Sequence, residues 1–306
     1  MLKRLFLLGL VLAPIGAVIF WFLTAPNNLD AQAFASAESH SIDLDNGENL
    51  FWAGGCASCH AAPESTGEDK LILSGGLVLE TEFGGFAAPN ISSDIENGIG
   101  SWTFEEFANA MKQGISPEGK HYYPAFPFAS YTHMTMTDLA DLFAFMQSLP
   151  ASTQASVPSS VAFPFNVRRG LGLWKNLYLD DTPIVADQDL GGDEMLVRGR
   201  YLVEGPGHCG ECHTPRSLAG GMQRANWLQG APSPEGKGRI PNITNGADGL
   251  SDWAESDIAY ALETGFTPEF DSLGSSMADV VSNYANVASS DREAIAAYLK
   301  HLSSED

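Results

Sequence analysis

Basic residues are scarce in this chain of 306 residues. There are only 16 Lys and Arg against 38 Asp and Glu, which gives a formal charge of −22. Such a charge disfavours binding to nucleic acid or to anionic lipid surfaces, because both are themselves negative. A basic protein partner fits the charge, and acidity that serves only solubility fits it equally. The hydrophobic content of 44% is that of an ordinary globular protein, so disorder is not expected.

Cysteine is scarce too, and all four cysteines lie in one motif that occurs twice. The two copies are Cys56-Ala57-Ser58-Cys59-His60 and Cys209-Gly210-Glu211-Cys212-His213. Both have the pattern C-x-x-C-H, the attachment signature of c-type haem. Two thiols on one helical turn can each add to a haem vinyl group, and the imidazole after them can bind the iron. We therefore predict two covalently bound haem c groups, with His60 and His213 as iron ligands.

Other uses of paired cysteines fit this pattern less well. Disulfides in an exported protein would not require a His after each pair. A zinc ribbon would need the pairs closer together, since Cys59 and Cys209 are far apart in the chain (209 − 59 = 150). A thioredoxin-like motif would need a βαβ context, whereas the flanks here are helical and rich in Gly.

The two halves repeat one another beyond the cysteines. The segments Pro89-Asn90-Ile91-Ser92 and Pro241-Asn242-Ile243-Thr244 follow Cys56 and Cys209 at nearly the same spacing (89 − 56 = 33 and 241 − 209 = 32). A Trp and then a Gly follow each segment at matching distances: Trp102 and Gly114, then Trp253 and Gly265. We expect the Pro-Asn segments to supply the carbonyl that accepts the second ring N–H of each haem-binding His. Both segments also match the N-glycosylation pattern, but their recurrence favours a structural role.

Helical patterning accompanies the repeat, and strand-like alternation is missing. Thr103 with Glu106 predicts a capping box, and Ser290 with Glu293 predicts a second cap. Apolar residues spaced i, i+3, i+4, i+7 predict a closing helix in each half: Leu139, Leu142, Phe143 and Met146, then Ile295, Tyr298, Leu299 and Leu302. We predict an all-α fold of two tandem class I-type cytochrome c domains after one N-terminal transmembrane helix.

The N-terminal segment carries the signal for that membrane helix. Lys3 and Arg4 precede an uncharged run from Leu5 to Thr24, and about 20 apolar residues suffice to span a membrane. Basic residues before the span place the N-terminus in the cytoplasm. A cleaved signal peptide, with a processing site at Ala31-Gln32-Ala33, is the alternative. Either way, the haem domains are predicted on the periplasmic side of the cytoplasmic (inner) membrane.

The predicted organisation has five segments. They are an anchor over 1–26, a linker over 27–40, a first cytochrome c domain over 41–150, a connector over 151–185 and a second cytochrome c domain over 186–306. The connector contains a basic and apolar stretch from Arg168 to Lys175. Packing between the domains is the preferred role for this stretch, with contact to a partner or to lipid heads as the alternatives.

The second axial ligand of each iron is expected to be a Met, which is common in cytochromes that only carry electrons. In the second half, Met277 follows Gly265 at a spacing of 12 (277 − 265), in a loop of small residues ahead of the closing helix. Met222 is too near the attachment motif to reach the other side of the iron. We therefore predict Met277 as the ligand of the second haem iron.

The first half departs from this arrangement. Phe126 stands at the same spacing after Gly114 (126 − 114 = 12) and cannot bind iron. Met134, in the loop before the closing helix, is the preferred ligand of the first haem iron. The alternatives are Met136, His133 and His121.

Several segments carry a resemblance to a known family. They are Tyr122-Tyr123-Pro124-Ala125-Phe126-Pro127, Tyr131-Thr132-His133-Met134, Phe163-Pro164-Phe165-Asn166-Val167-Arg168-Arg169-Gly170, Gly205-Pro206-Gly207-His208-Cys209-Gly210-Glu211-Cys212-His213-Thr214-Pro215-Arg216 and Ser276-Met277-Ala278. With these segments the chain resembles bacterial membrane-anchored dihaem cytochromes c. More broadly, it is similar to the cytochrome c subunits of membrane-bound alcohol, gluconate and aldehyde dehydrogenases. The resemblance implies His–Met ligation of both irons, which supports Met134 and Met277.

The predicted function is electron transfer without catalysis. The chain would carry electrons from a periplasmic dehydrogenase or a quinol-linked complex towards a terminal oxidase or a soluble cytochrome. Two irons with closed coordination suit this role, because it needs no substrate site. The alternatives are a dihaem enzyme, either a peroxidase or a thiosulfate-oxidising protein with one open iron, and a fixed cytochrome subunit of an oxidase.

Overall fold

Helices make up most of the regular structure. The computed structural model describes residues 2–81, 83–233 and 238–303, and the side chains of residues 2–11 lie outside this description. The helices of the first half are α1 (Leu2–Leu23), α2 (Ala35–Glu38), α3 (Leu44–Ala53), α4 (Cys56–His60), α5 (Phe104–Gln113), α6 (Phe128–Tyr131) and α7 (Met136–Ser148). Those that follow are α8 (Leu171–Tyr178), α9 (Glu194–Glu204), α10 (Gly210–His213), α11 (Glu255–Thr264), α12 (Met277–Tyr284) and α13 (Ser289–His301).

Two small antiparallel sheets accompany the helices, so the prediction of an all-α fold is wrong. One sheet has the order β1 (Val78–Thr81), β2 (Gly84–Ala87), β3 (Ser160–Val161), and the other pairs β4 (Ala231–Pro232) with β5 (Arg239–Ile240). The register sets Leu79 opposite Phe86 in the first sheet. These strands are two to four residues long, which is too short for alternating hydrophobicity to be visible in the sequence.

The structure also contradicts the transmembrane helix predicted over residues 1–26. Among the described residues, no helix is both long and apolar enough to cross a membrane. The C-terminal end of α1 contacts the rest of the chain, where Asn176 Nδ2–H donates to Leu23 O (2.8 Å).

The capping box predicted at Thr103 and Glu106 and the two predicted closing helices are confirmed. At the start of α5, Glu106 N–H donates to Thr103 Oγ1 (3.2 Å) and Thr103 N–H donates to Glu106 Oε2 (2.9 Å), which completes the predicted capping box. Helices α7 and α13 are the closing helices, and their inward positions are buried: Leu139, Leu142 and Met146, then Ile295, Tyr298 and Leu299.

The cap predicted for the second closing helix is wrong. Helix α13 begins one residue before Ser290, so Ser290 and Glu293 are both inside it. The N–H of Ala288, just before the helix, instead donates to Asn49 Oδ1 (2.8 Å) on α3. Ala288, the N-cap residue, supplies no capping side chain, and the partner of its own N–H comes from the other half of the chain, which local patterning does not reveal.

Each half is built on a close crossing of two helices at a glycine. Helix α3 crosses α7 at Gly47, and α9 crosses α13 at Gly199. A Cβ at Gly47 would lie 2.3 Å from Asp141 O, and one at Gly199 would lie 1.9 Å from Ala294 O. Both distances are far below ordinary contact, so only glycine allows these backbones to approach.

The connector packs between the halves, as its composition predicted. The ring of Trp174 on α8 lies edge-on to Phe128 of the first half, with centroids 6.0 Å apart. Its Nε1–H donates to Ala219 O of the second half (2.9 Å). The division of the chain into an anchor, a linker, two domains and a connector at the stated boundaries stays a prediction.

Gly47→Ala and Gly199→Ala are each expected to lower the free energy of unfolding by about 1–3 kcal/mol, because the added methyl group overpacks a helix crossing. Urea denaturation followed by circular dichroism measures this. Gly274→Ala is the matched control, since no atom lies within 4 Å of its added Cβ. Equal loss of stability in all three variants would contradict the role of the crossings.

Candidate haem sites

Both C-x-x-C-H motifs fold as one helical turn, which brings each pair of thiols to one side. Helix α4 contains Cys56, Cys59 and His60, and α10 follows Cys209, whose own backbone is helical. All four cysteines are unpaired in the described structure. Within the described ranges, no group of three or more His, Cys, Asp and Glu could hold a metal ion. The arrangement fits covalent haem attachment, because both thiols of each motif and the His after them lie on one helical turn.

Each haem-binding His is oriented by a proline carbonyl. His60 Nδ1–H donates to Pro89 O and His213 Nδ1–H donates to Pro241 O, both at 2.9 Å. A carbonyl can only accept, so Nδ1 carries the proton and the Nε2 lone pair is free for iron. Burial lowers the pKa of both imidazoles, which favours the neutral form that binds metal. The expected role of the two Pro-Asn segments is confirmed.

A glycine holds each Pro-Asn segment against its histidine. The N–H of Gly75 donates to His60 O (2.7 Å), and that of Gly230 donates to His213 O (2.8 Å). Both glycines have left-handed backbones, with φ of 72° and 82°. A Cβ at Gly75 would lie 2.7 Å from Pro89 O, so a side chain would displace the carbonyl that orients the imidazole.

The asparagines of these segments are structural. Asn90 and Asn242 are buried, and their Oδ1 atoms accept the N–H groups of Ser92 (2.9 Å) and Thr244 (2.8 Å). These turns fix the backbone that presents the proline carbonyls. Because both asparagines are buried, the repeated glycosylation pattern fits a structural role and not a modified surface.

The two predicted sulfur ligands lie in different settings. Met134 is 2% exposed, in the turn between α6 and α7, and Met277 is half-buried on the first turn of α12. By spacing from the first Cys of each half, Met134 corresponds to buried Val287 (134 − 56 = 78 and 287 − 209 = 78). The first half thus carries a thioether where the second has an aliphatic side chain. Both ligand assignments stay predictions.

A cation holds the loop that contains Met134, and sequence reasoning missed it. Lys112 Nζ–H donates to Thr132 O and to Met134 O (2.6 Å for the latter). In the second half Arg292 donates to Tyr284 O (3.1 Å) and Val287 O. The two cations come from helices that are not equivalent in the repeat, so alignment of the halves gives no signal for them.

Of the three alternative ligands of the first iron, His121 is the one whose surroundings argue against binding. Both ring nitrogens of buried His121 have protein partners: Nε2–H donates to Thr24 O (3.0 Å), and Nδ1 lies 3.3 Å from Lys175 Nζ. Burial lowers the pKa of His133 to about 4, which favours the neutral form that binds metal, so His133 stays an alternative. Met136 is buried as the first residue of α7.

A buried hydroxyl next to the second attachment motif lacks a protein partner. Among the described residues, Tyr284 Oη accepts and donates no hydrogen bond. A Cβ on Gly207, two residues before Cys209, would lie 2.5 Å from this oxygen. Buried hydroxyl groups are rarely left unpaired, so the residues present fit a bound group that completes the site.

Comparison with known proteins decides what occupies these sites. The Cytochrome c family matches residues 44–150. A protein of Cereibacter sphaeroides named "Diheme cytochrome c-type" is 50% identical over 98% of this chain and 99% of its own length. This chain belongs to the dihaem c-type cytochromes. The dihaem cytochrome therefore binds two covalently attached haem c groups, one for each motif.

Other relatives of this dihaem cytochrome are subunits of larger enzymes. The fructose dehydrogenase cytochrome subunit of Gluconobacter japonicus is 33% identical over 92% of this chain and 57% of that protein. The gluconate 2-dehydrogenase cytochrome c subunit of Pantoea cypripedii is 33% identical over 91% of this chain and 64% of that protein. The chain thus spans about 57–64% of the length of these two subunits.

Met134→Leu and Met277→Leu are each expected to remove about half of the methionine–iron charge-transfer absorption of the oxidised protein, because leucine keeps the apolar volume and removes the sulfur. Optical spectra of the two variants measure this. Met111→Leu, at a buried position of α5, is the control for loss of a core sulfur. Unchanged absorption in Met134→Leu, with both haems attached, would refute Met134 as the ligand.

Proposed function

We propose that this dihaem cytochrome relays electrons between a periplasmic dehydrogenase or quinol-linked complex and a terminal oxidase or soluble cytochrome, and that it catalyses no reaction of its own. Haem c supplies one-electron chemistry when bound. The protein residues bind the haem, orient its imidazole ligand and bury the site. The relatives named as dehydrogenase cytochrome subunits support a dehydrogenase as the donor.

Direct contact between the two attachment segments is the observation that carries this proposal. His208, the residue before Cys209, donates from Nε2–H to Gly54 O (3.2 Å), two residues before Cys56. Tyr131 Oη–H donates to the same carbonyl (3.3 Å). Two redox groups attached to touching segments suit passage of an electron from one to the other. A relay uses this proximity, whereas two independent catalytic sites would not need it.

Charge supports a protein partner of the opposite sign. The formal charge of −22 attracts a basic surface and raises the rate of encounter at low ionic strength. Covalent haem attachment supports a location outside the cytoplasm, where haem is delivered to reduced thiols. We therefore include the periplasmic side of the membrane in the proposal.

A redox titration with optical spectra tests the proposal. The isolated protein is expected to show two one-electron transitions, both from low-spin haem, because the His and Met ligands predicted for each iron would leave no open position. Carbon monoxide should bind slowly or not at all to the reduced form. Rapid binding of carbon monoxide, or turnover of peroxide or thiosulfate, would overturn the relay in favour of a dihaem enzyme.

A further inference from the structure

Each haem-attachment helix makes a side-chain hydrogen bond with the other half. Ser58, two residues after Cys56, accepts at Oγ from Asn283 Nδ2–H on α12 (2.6 Å). Glu211, two residues after Cys209, accepts at Oε1 from Ser130 Oγ–H on α6 (2.8 Å). In each bond, a residue of one motif accepts from a residue of the other half. The two bonds are therefore reciprocal.

The donors occupy equivalent places in the repeat. Ser130 and Asn283 have the same spacing from the first Cys of their half (130 − 56 = 74 and 283 − 209 = 74). The residue types differ while the positions match, so the contact is a property of how the halves dock. One chance contact between two surfaces would not recur at both positions.

A second pair of exchanged bonds lies at the start of the closing helices. Ala288 N–H before α13 donates to Asn49 Oδ1 (2.8 Å), and Thr135 N–H before α7 donates to Tyr201 Oη (3.3 Å). Thr135 and Ala288 again have equal spacing from the first Cys of their half (135 − 56 = 79 and 288 − 209 = 79). Two pairs of reciprocal bonds, four bonds in all, thus join the halves.

The first pair has a direct relation to the haem groups. Ser58 and Glu211 each lie between the two cysteines of a motif, so their backbones are tied at both sides to the attached porphyrin. A bond from either side chain to the other half therefore fixes one attachment helix against the opposite domain. Glu211 has a further partner in its own half, since its Oε2 pairs with Arg216.

We propose that Ser58 and Glu211, with their partners Asn283 and Ser130, are positioning residues for electron exchange between the two haems. The inference rests on the proposed relay and names the residues that set its internal step. In that step one iron is oxidised from Fe(II) to Fe(III) while the other is reduced from Fe(III) to Fe(II), and no proton or co-reactant is needed. The rate depends on the mutual placement of the two attachment helices, which these bonds hold.

The test compares two double variants of the full holoprotein. S58A/S130A removes both exchanged bonds at the motifs. S93A/S148A is the matched control: it removes the bonds from Ser93 Oγ–H to Leu149 O and from Ser148 Oγ–H to Phe145 O (both 2.6 Å), which lie within the first half. Pulse radiolysis of the oxidised protein, with less than one electron added per molecule, measures the rate of exchange between the haems. Electron paramagnetic resonance measures their magnetic interaction.

S58A/S130A is expected to slow the exchange several-fold and to change the magnetic interaction, while the optical spectrum of each haem stays as in the wild type. S93A/S148A should exchange at the wild-type rate, and S58T/S130T should restore it by returning the hydroxyl groups. Exchange at the wild-type rate in S58A/S130A, or equal slowing in the control, would overturn the inference. Should the double variant fail to fold, S130A alone gives the same comparison with S93A.

The failure of the proposed relay has a different signature in the same experiment. No exchange between the haems in the wild-type protein would count against the relay itself. Normal exchange in both the wild type and S58A/S130A leaves the relay standing and removes only the role of the four positioning residues.

Discussion

A hydrogen bond from each proximal imidazole to a proline carbonyl sets the geometry of both haem sites. It fixes the tautomer of His60 and of His213, so that Nε2 is available to iron. The carbonyls stay in place because an Asn turn and a left-handed glycine hold each segment. The close crossings at Gly47 and Gly199 fix how the surrounding helices pack in each half. Burial then keeps both imidazoles neutral.

The chemistry of the sites could be predicted from the sequence because it is local. Two cysteines and a histidine on one helical turn predict each attachment motif. The repeated Pro-Asn segments predict the carbonyl partners. Features that depend on distant contacts were missed or wrong. The short strands give no periodic signal. Asn49 accepts the N–H of Ala288 just before α13, and Lys112 supports the loop of Met134 from another helix. The apolar N-terminal run predicted a membrane span that no described helix supports.

Duplication explains how two simple units produce a specific interface. A contact from one repeat position of the first half to another position of the second half recurs with the halves interchanged, so each contact is used twice. The exchanged bonds at the motifs and at the closing helices both follow this rule. The residue types differ between copies, which shows that geometry, more than identity, is retained. The result is a pair of attachment segments in direct contact, in a chain that also spans much of the dehydrogenase cytochrome subunits.

Each half is predicted to carry one haem, attached through its own cysteines. Intact-mass spectrometry under denaturing conditions tests this most directly, because only covalently bound haem survives unfolding. The wild-type chain should carry the mass of two haems, and a variant with Cys209 and Cys212 replaced by Ser should carry one. A wild-type chain without added mass, or a variant that still carries two haems, would contradict the account.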